Sequence, residues 1–147
     1  IIASDISEDA VKIARENGRN QALDVEFKVL DISQLSHQNR LDEWDFIVSN
    51  PPYVLQKESV EMEKRVKDFE PAMALFVEND DPLYFYRIIC EFALKKLRPN
   101  GCLYFEINES KSEEIVNLMK TFAFSDIELK HDLNGKPRMV RANYKVE

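Results

Sequence analysis

Short apolar, β-branched runs alternate along the chain with stretches whose apolar positions recur every three or four residues. That order predicts an α/β fold with a largely parallel sheet. The first run, residues 1–4, ends at Asp5. Ser7 then offers a helix N-cap, with Glu8 and Asp9 where the helix dipole favours acids. Ala10, Val11, Ala14 and Gly18 give this helix a narrow face of small residues, suited to close packing on a sheet. A second strand, 25–30, ends at Asp31, and residues 33–42 leave room for a helical turn or two. The third strand, 44–49, is apolar without clean alternation, the pattern of a strand covered on both faces. It runs directly into Asn50-Pro51-Pro52-Tyr53.

Residues 54–69 are polar, with no strong period before Met62 and Val66, and predict a loop over the end of that strand. Asp81-Pro82 predicts a helix start, with Asp81 as N-cap. Phe85, Ile88, Ile89, Phe92 and Ala93 mark its buried face, and Pro99-Asn100-Gly101 stops it. A fourth strand is expected over 102–107. Ser110 and Glu113 have capping-box spacing before a helix with a core stripe of Ile115, Leu118, Met119 and Phe122. Two last strands, 124–130 and 138–144, join across Asn134-Gly135, which predicts an antiparallel hairpin. No repeat, low-complexity tract or internal boundary interrupts this order, and 147 residues suit one domain.

Charge narrows the partners. The net charge of −7 and pI of about 5.0 leave no whole-surface basic footprint, so direct nucleic-acid binding is not expected. No apolar stretch approaches the roughly 18 residues of a membrane span, and no signal peptide is visible. Cys90 and Cys102 lie far apart in apolar segments and are expected as buried thiols in a reducing, cytoplasmic setting. His37 and His131 are isolated and expected at the surface, so no metal site is expected. The chain opens inside an apolar run without an initiator Met, which suggests a piece of a longer protein.

Asn50-Pro51-Pro52-Tyr53 carries the candidate chemistry. At a strand end, the Asn50 side-chain oxygen can accept one N–H of a planar amide or amine. Pro51 has no N–H, and its carbonyl is free to accept the second. Tyr53 can lie on the flat face of the same group. An amide nitrogen is a poor nucleophile because its lone pair is delocalised. Two acceptors on its two N–H bonds favour a pyramidal nitrogen and aim the lone pair at an electrophile, which is catalysis by positioning. Asn-Pro and Pro-Pro are also plain turn dipeptides, but a turn requires neither the apolar strand before them nor Tyr53 after them.

Asp5, Asp31 and Asn50 all fall at the carboxyl ends of expected parallel strands, where open α/β sheets bind ligands. Asp5 suits the hydroxyls of a nucleotide ribose, since Ser7 already supplies the helix cap. Asp31 with Ile32 suits the flank of an adenine ring, or is simply a loop acid. Such a site also uses a strand and a glycine-rich turn ahead of the acid-ended strand. Of the three glycines, Gly18, Gly101 and Gly135, none stands there.

The chain resembles the HemK-type release-factor glutamine methyltransferases, class I enzymes that use S-adenosylmethionine. The resemblance runs over essentially the whole chain. It rests on Ala3-Ser4-Asp5-Ile6-Ser7, Asn17, Asp45-Phe46-Ile47-Val48-Ser49-Asn50-Pro51-Pro52-Tyr53, Phe69-Glu70-Pro71 with Ala74-Leu75, Phe85-Tyr86-Arg87, Pro99-Asn100-Gly101, Phe105-Glu106-Ile107, and Asp132-Leu133-Asn134-Gly135 with Arg138. The Asn-Pro-Pro-Tyr motif is shared with adenine-N6 methyltransferases, so it specifies only the nucleophile class. The Phe-Glu-Pro segment and the C-terminal hairpin point to the glutamine branch.

The resemblance implies a Rossmann-like sheet ending in an antiparallel hairpin, and methylation of the glutamine in a Gly-Gly-Gln motif of peptide-chain release factors. It implies that Asn50 and Pro51 hold the amide, Pro52 shapes the turn and Tyr53 packs on the substrate. Asp5 would hold the donor's ribose, with Asp31, Ile32 and Asn50 lining the donor site. Residues 1–147 would then be a partial methyltransferase domain, without the family's N-terminal helical domain, first strand and glycine loop. Such a fragment is expected to bind the donor weakly and to risk self-association through unpaired strand edges. Adenine-N6 methylation of nucleic acid, or a remnant without catalysis, are the competing readings.

Overall fold

The computed structural model describes residues 1–37, 43–55, 76–77 and 81–145. The chain divides into two compact units, Ile1–Gln38 and Asn39–Glu147.

In the first unit, β1 (Ile2–Asp5) and β2 (Glu26–Val29) pair in parallel, with Asp5 opposite Val29. The right length of chain for a parallel return is supplied by α1 (Glu8–Asn20). Ser7 caps α1 as expected, its hydroxyl accepting the Ala10 N–H at 3.2 Å. The small-residue face also does what its composition suggests. Val11 and Gly18 are buried, and Phe27 of β2 packs so closely on Gly18 that a Cβ there would meet Phe27 Cε2 at 2.8 Å. A 3-10 helix over Ile32–His37 follows; residues 38–42 of the expected helical stretch lie outside the described residues.

The second unit is built on a four-stranded sheet whose neighbours run in the order Trp44–Ser49, Leu97–Glu106, Pro137–Tyr144, Phe124–His131. β3 (Trp44–Ser49) leads to a short strand, β4 (Val54–Leu55), which pairs in parallel with β5 (Phe76–Val77). Then come α2 (Tyr84–Lys96), β6 (Leu97–Glu106), α3 (Ser112–Thr121), β7 (Phe124–His131) and β8 (Pro137–Tyr144). β3 and β6 are parallel, while β8 is antiparallel to both β6 and β7. The expected hairpin is therefore present, turned by Asp132 and by Gly135 at φ +76°. The core lies between this sheet and the two helices, with Leu103, Phe105, Val140 and Ala142 buried on the sheet and Ile89, Cys90, Ile115 and Met119 buried on the helices. Each large apolar side chain buried there contributes about 1.5–3 kcal/mol.

Several expectations need correction. β3 is not covered on both faces. Ile47 is buried, but Phe46 is 64% exposed and Val48 78% exposed: Phe46 and Val48 point to the face opposite Ile47, which is open among the described residues. The buried face of α2 is rotated from the expected one: Tyr86 and Cys90 are buried where Phe85 and Ile88 are half-buried. Tyr86 tolerates this position because its hydroxyl donates to the Glu106 carbonyl at 3.2 Å and its ring meets Phe105 edge-on. Helix α2 starts at Tyr84, with Leu83 at the cap position. Asp81 acts one turn earlier, accepting the Leu83 N–H at 3.3 Å and pairing with Arg87 at 2.7 Å.

Pro99-Asn100-Gly101 does not stop α2, which passes directly into β6 at Leu97. Instead these residues form an irregularity in the β3–β6 ladder, where Trp44 pairs with Leu97 but Phe46 with Cys102. Gly101 is required there, since a Cβ would stand 2.9 Å from the Arg98 carbonyl oxygen and 3.1 Å from that of Asp45. The Ser110–Glu113 capping box does not form. Asn108 takes over the role, accepting the Ser110 N–H at 2.9 Å at the start of a 3-10 helix, Glu109–Lys111, that precedes α3. Cys90 is fully buried, whereas Cys102 is only half-buried and its thiol donates to Asn143 Oδ1.

Candidate active site

Asn50 follows the last residue of β3 and is exposed; among the described residues its side chain has no hydrogen-bond partner. Its amide is therefore available to a ligand. Pro51 is buried, and Pro52 and Tyr53 are half-buried. This gradient fits a rigid turn rooted in the core with a polar tip. Parallel pairing places Ser49 opposite Phe105, so the turn leaves β3 beside Glu106, the last residue of β6.

Tyr53 is anchored at both ends. Its hydroxyl donates to Glu106 Oε1 at 2.9 Å, and its main-chain carbonyl accepts from Asn108 Nδ2 at 3.3 Å. Glu106 is fixed in turn by pairing with Met139 on β8, and its carbonyl accepts from Tyr86. Burial, and then the hydrogen bond and charge of Glu106, push the Tyr53 phenol above its ordinary value, while Arg138 pulls the other way. The phenol thus stays protonated at neutral pH and remains a donor to Glu106. Arg138 lies 3.4 Å from Asp132 Oδ2, and Asp132 itself is held by the Lys136 and Asn134 N–H groups. Those backbone bonds, Lys136 first, keep the Asp132 carboxyl below its usual range.

These links join segments that are far apart in sequence. Tyr86, Glu106, Asp132 and Arg138 each belong to a segment that carried the family resemblance, and each acts on Tyr53 or on a group that does. Glu106 ends a parallel strand, as Asp5 and Asn50 do, so the rule that singled those out applies to it as well. Asn108 carries no comparable sequence signal. Phe69-Glu70-Pro71, Ala74-Leu75 and most of the expected 54–69 loop lie outside the described residues.

The residues expected on the donor side belong to the first unit, except Asn50. Asp5 ends β1 and is exposed; its Oδ1 accepts the Ser7 N–H at 2.8 Å, and among the described residues Oδ2 has no partner. A concavity of about 300 Å³ opens beside it, between α1 and Phe27. Asp31 is more committed. Its Oδ1 accepts from the Ser33 N–H at 2.9 Å and the Ser33 hydroxyl at 2.6 Å, and its Oδ2 from Gln34 at 2.9 Å. These bonds, the Ser33 hydroxyl first, hold its carboxyl below the usual range. Asp31 organises the turn that presents Ile32.

Each unit has the α/β build of a methyltransferase-type domain, with a polar residue at the carboxyl end of a parallel strand: Asp5 in the first and Asn50 in the second. The chain belongs to the UPF0020 family, the RMKL-like methyltransferase domain, whose model matches residues 1–79. That span includes Asp5, Asp31 and the Asn50 motif but ends before Glu106, Asp132 and Arg138.

Similarity extends further along the chain in individual proteins. A release factor glutamine methyltransferase of Flavobacterium psychrophilum is 41% identical over 145 residues, covering 99% of this chain and 50% of that protein. One of Bacteroides thetaiotaomicron is 42% identical over 141 residues, covering 96% and 50%. The chain spans about half the length of the curated relatives it matches. Among solved structures, a methyltransferase from Pyrococcus furiosus superposes with a TM-score of 0.67 at 15% identity, covering 99% of this chain and 62% of that one. The last likeness is one of fold. No described helix is long and apolar enough to cross a membrane.

Proposed function

We propose that the protein carrying this chain transfers a methyl group from S-adenosylmethionine to the side-chain amide nitrogen of a release-factor glutamine. The observation that carries the reading is the Asn50 amide, exposed and unengaged at the end of β3, beside a Tyr53 tied down by Glu106 and Asn108. The names of the relatives from Flavobacterium and Bacteroides, which match across almost the whole chain, support glutamine as the acceptor.

In this reading Asn50 Oδ1 accepts one amide N–H and the Pro51 carbonyl accepts the other. Pro52 keeps the turn rigid, and the Tyr53 ring packs against the amide plane. Held this way, the nitrogen would direct its lone pair at the methyl carbon; the N–C bond would form as the methyl–sulfur bond breaks, its electron pair staying on sulfur, and one amide proton would pass to water. The donor residues present fit a nucleoside: Asp5 keeps one carboxylate oxygen open for ribose hydroxyls, and the Asp31 turn presents Ile32 for the base. Asp31 serves there as a positioning residue, because its oxygens are already engaged. When bound, S-adenosylmethionine supplies an electrophilic methyl on a sulfonium.

A transfer assay offering a release factor and an adenine-containing RNA side by side tests the proposal. Methyl incorporation into the glutamine supports it. Incorporation into the RNA alone overturns it in favour of an adenine methyltransferase.

A further inference from the structure

The Tyr53 ring is set by two side-chain torsions, so what holds its tip decides its orientation. The ring is restrained at its tip by one charged acceptor, Glu106 Oε1 at 2.9 Å. The Glu106 main chain is fixed. It lies in the β6–β8 ladder opposite Met139, and its carbonyl holds the buried Tyr86 hydroxyl at 3.2 Å. Ile107 next to it donates its N–H to the Arg138 carbonyl at 2.9 Å, so the hairpin that carries Arg138 is locked to the same point. Arg138 also interacts electrostatically with the Tyr53 phenol. The acceptor and the cation thus approach one hydroxyl from two strands.

We infer that Glu106 is a positioning residue for the transfer reaction: its carboxylate sets the plane of the Tyr53 ring against which the acceptor amide lies. This rests on the amide-clamp reading given above and extends it from the motif to the end of β6. The Tyr53–Glu106 bond is worth having for orientation, because displacement of a substrate-facing group by about 1 Å can cost on the order of 100-fold in rate. Arg138, itself paired with Asp132 at 3.4 Å, adds a positive charge that acts on the same phenol.

The test is a double-mutant cycle on the protein carrying this chain, with Tyr53→Phe, Glu106→Leu and both together, read as kcat and KM. Each single variant should lose about 10- to 100-fold in kcat. The double variant should be no slower than the worse single one, because both changes break the same bond. Glu106→Gln, which keeps an acceptor oxygen, should recover most of the loss caused by Glu106→Leu.

A second readout does not depend on turnover. With ring-labelled tyrosine, the Tyr53 resonance should titrate at lower pH in Glu106→Gln than in the parent, since a nearby negative charge has gone. Multiplicative losses in the cycle, or an unmoved Tyr53 titration, would overturn the inference. The cycle is read on whichever acceptor is methylated. Transfer to RNA instead of release factor therefore refutes the glutamine reading while the Tyr53–Glu106 coupling is still decided.

Discussion

Asn108 holds Tyr53 with one end of its amide and a helix start with the other. Its Nδ2 donates to the Tyr53 carbonyl at 3.3 Å, while its Oδ1 accepts both the N–H and the hydroxyl of Ser110 at 2.9 Å. The amide is thus a bracket between the substrate-facing turn and the segment that leads into α3. An Asp in its place can accept but not donate, so the two functions can be separated.

Asn108→Asp should keep the cap and therefore much of the stability, but it places a carboxylate against the Tyr53 carbonyl. A fall in methyl-transfer rate of about tenfold is expected, with little change in Tm. Asn108→Ala removes both roles and should also cost about 1 kcal/mol of stability. Thermal melts and a transfer assay on the two variants separate these effects. Equal rates for Asn108→Asp and the parent would show that the donor side of the bracket is dispensable.

Asn50→Ala should leave folding nearly untouched, because the side chain is exposed and its environment asks nothing of it. Its stability should stay within about 0.5 kcal/mol of the parent. Loss of one of two amide acceptors should lower transfer by about 100- to 1000-fold. A variant that turns over at the parental rate would remove Asn50 from the mechanism.

The sequence made the α/β order, the cap at Ser7, the α1 packing face and the Asn-Gly hairpin legible because each depends on neighbours within a few residues. The polar ends of β1 and β3 were legible for a similar reason: strand direction fixes where a chain leaves the sheet. The anchoring of Tyr53 was not, because it is a property of pairing between β3, β6 and β8 rather than of any one segment. The rotation of α2 toward Tyr86 also depends on a distant group, the Glu106 carbonyl. The competition between Ser110 and Asn108 for the cap was local, yet spacing alone favoured the wrong partner: Asn108 reaches the Ser110 N–H two residues on.

Gly18→Ala tests how tightly α1 is seated. Alanine at a helix interior position is favoured over glycine by about 1 kcal/mol. Here its Cβ would stand 2.8 Å from Phe27 Cε2, so the ring must move, and overpacking of this kind costs about 1–3 kcal/mol. Net destabilisation is expected. Phe27→Leu should relieve the clash, so that Gly18→Ala is less harmful in that background than in the parent, as read by urea denaturation. Additive effects of the two changes would mean that the ring yields freely.

Alkaline pH should weaken the fold through Cys90 before the tyrosines contribute. Burial, and then the charge of Glu91, push the Cys90 thiol from an ordinary value of 9.0 up to about 12. Tyr86 and Tyr53 are likewise raised above 10, in both cases by burial first. A raised folded-state value means that the unfolded chain gives up its proton at lower pH than the native one does. The Cys90 contribution is therefore fully present below about pH 9 and is lost as pH rises toward about 12. One such group gives a slope of up to about 1.4 kcal/mol per pH unit. Urea denaturation of the parent between about pH 8 and pH 10 should show this decline, and Cys90→Ala should flatten it even though the variant starts from lower stability. The thiol of half-buried Cys102 should react with a disulfide reagent in the native state while that of Cys90 does not. An identical pH slope in Cys90→Ala would assign the alkaline loss to the tyrosines instead.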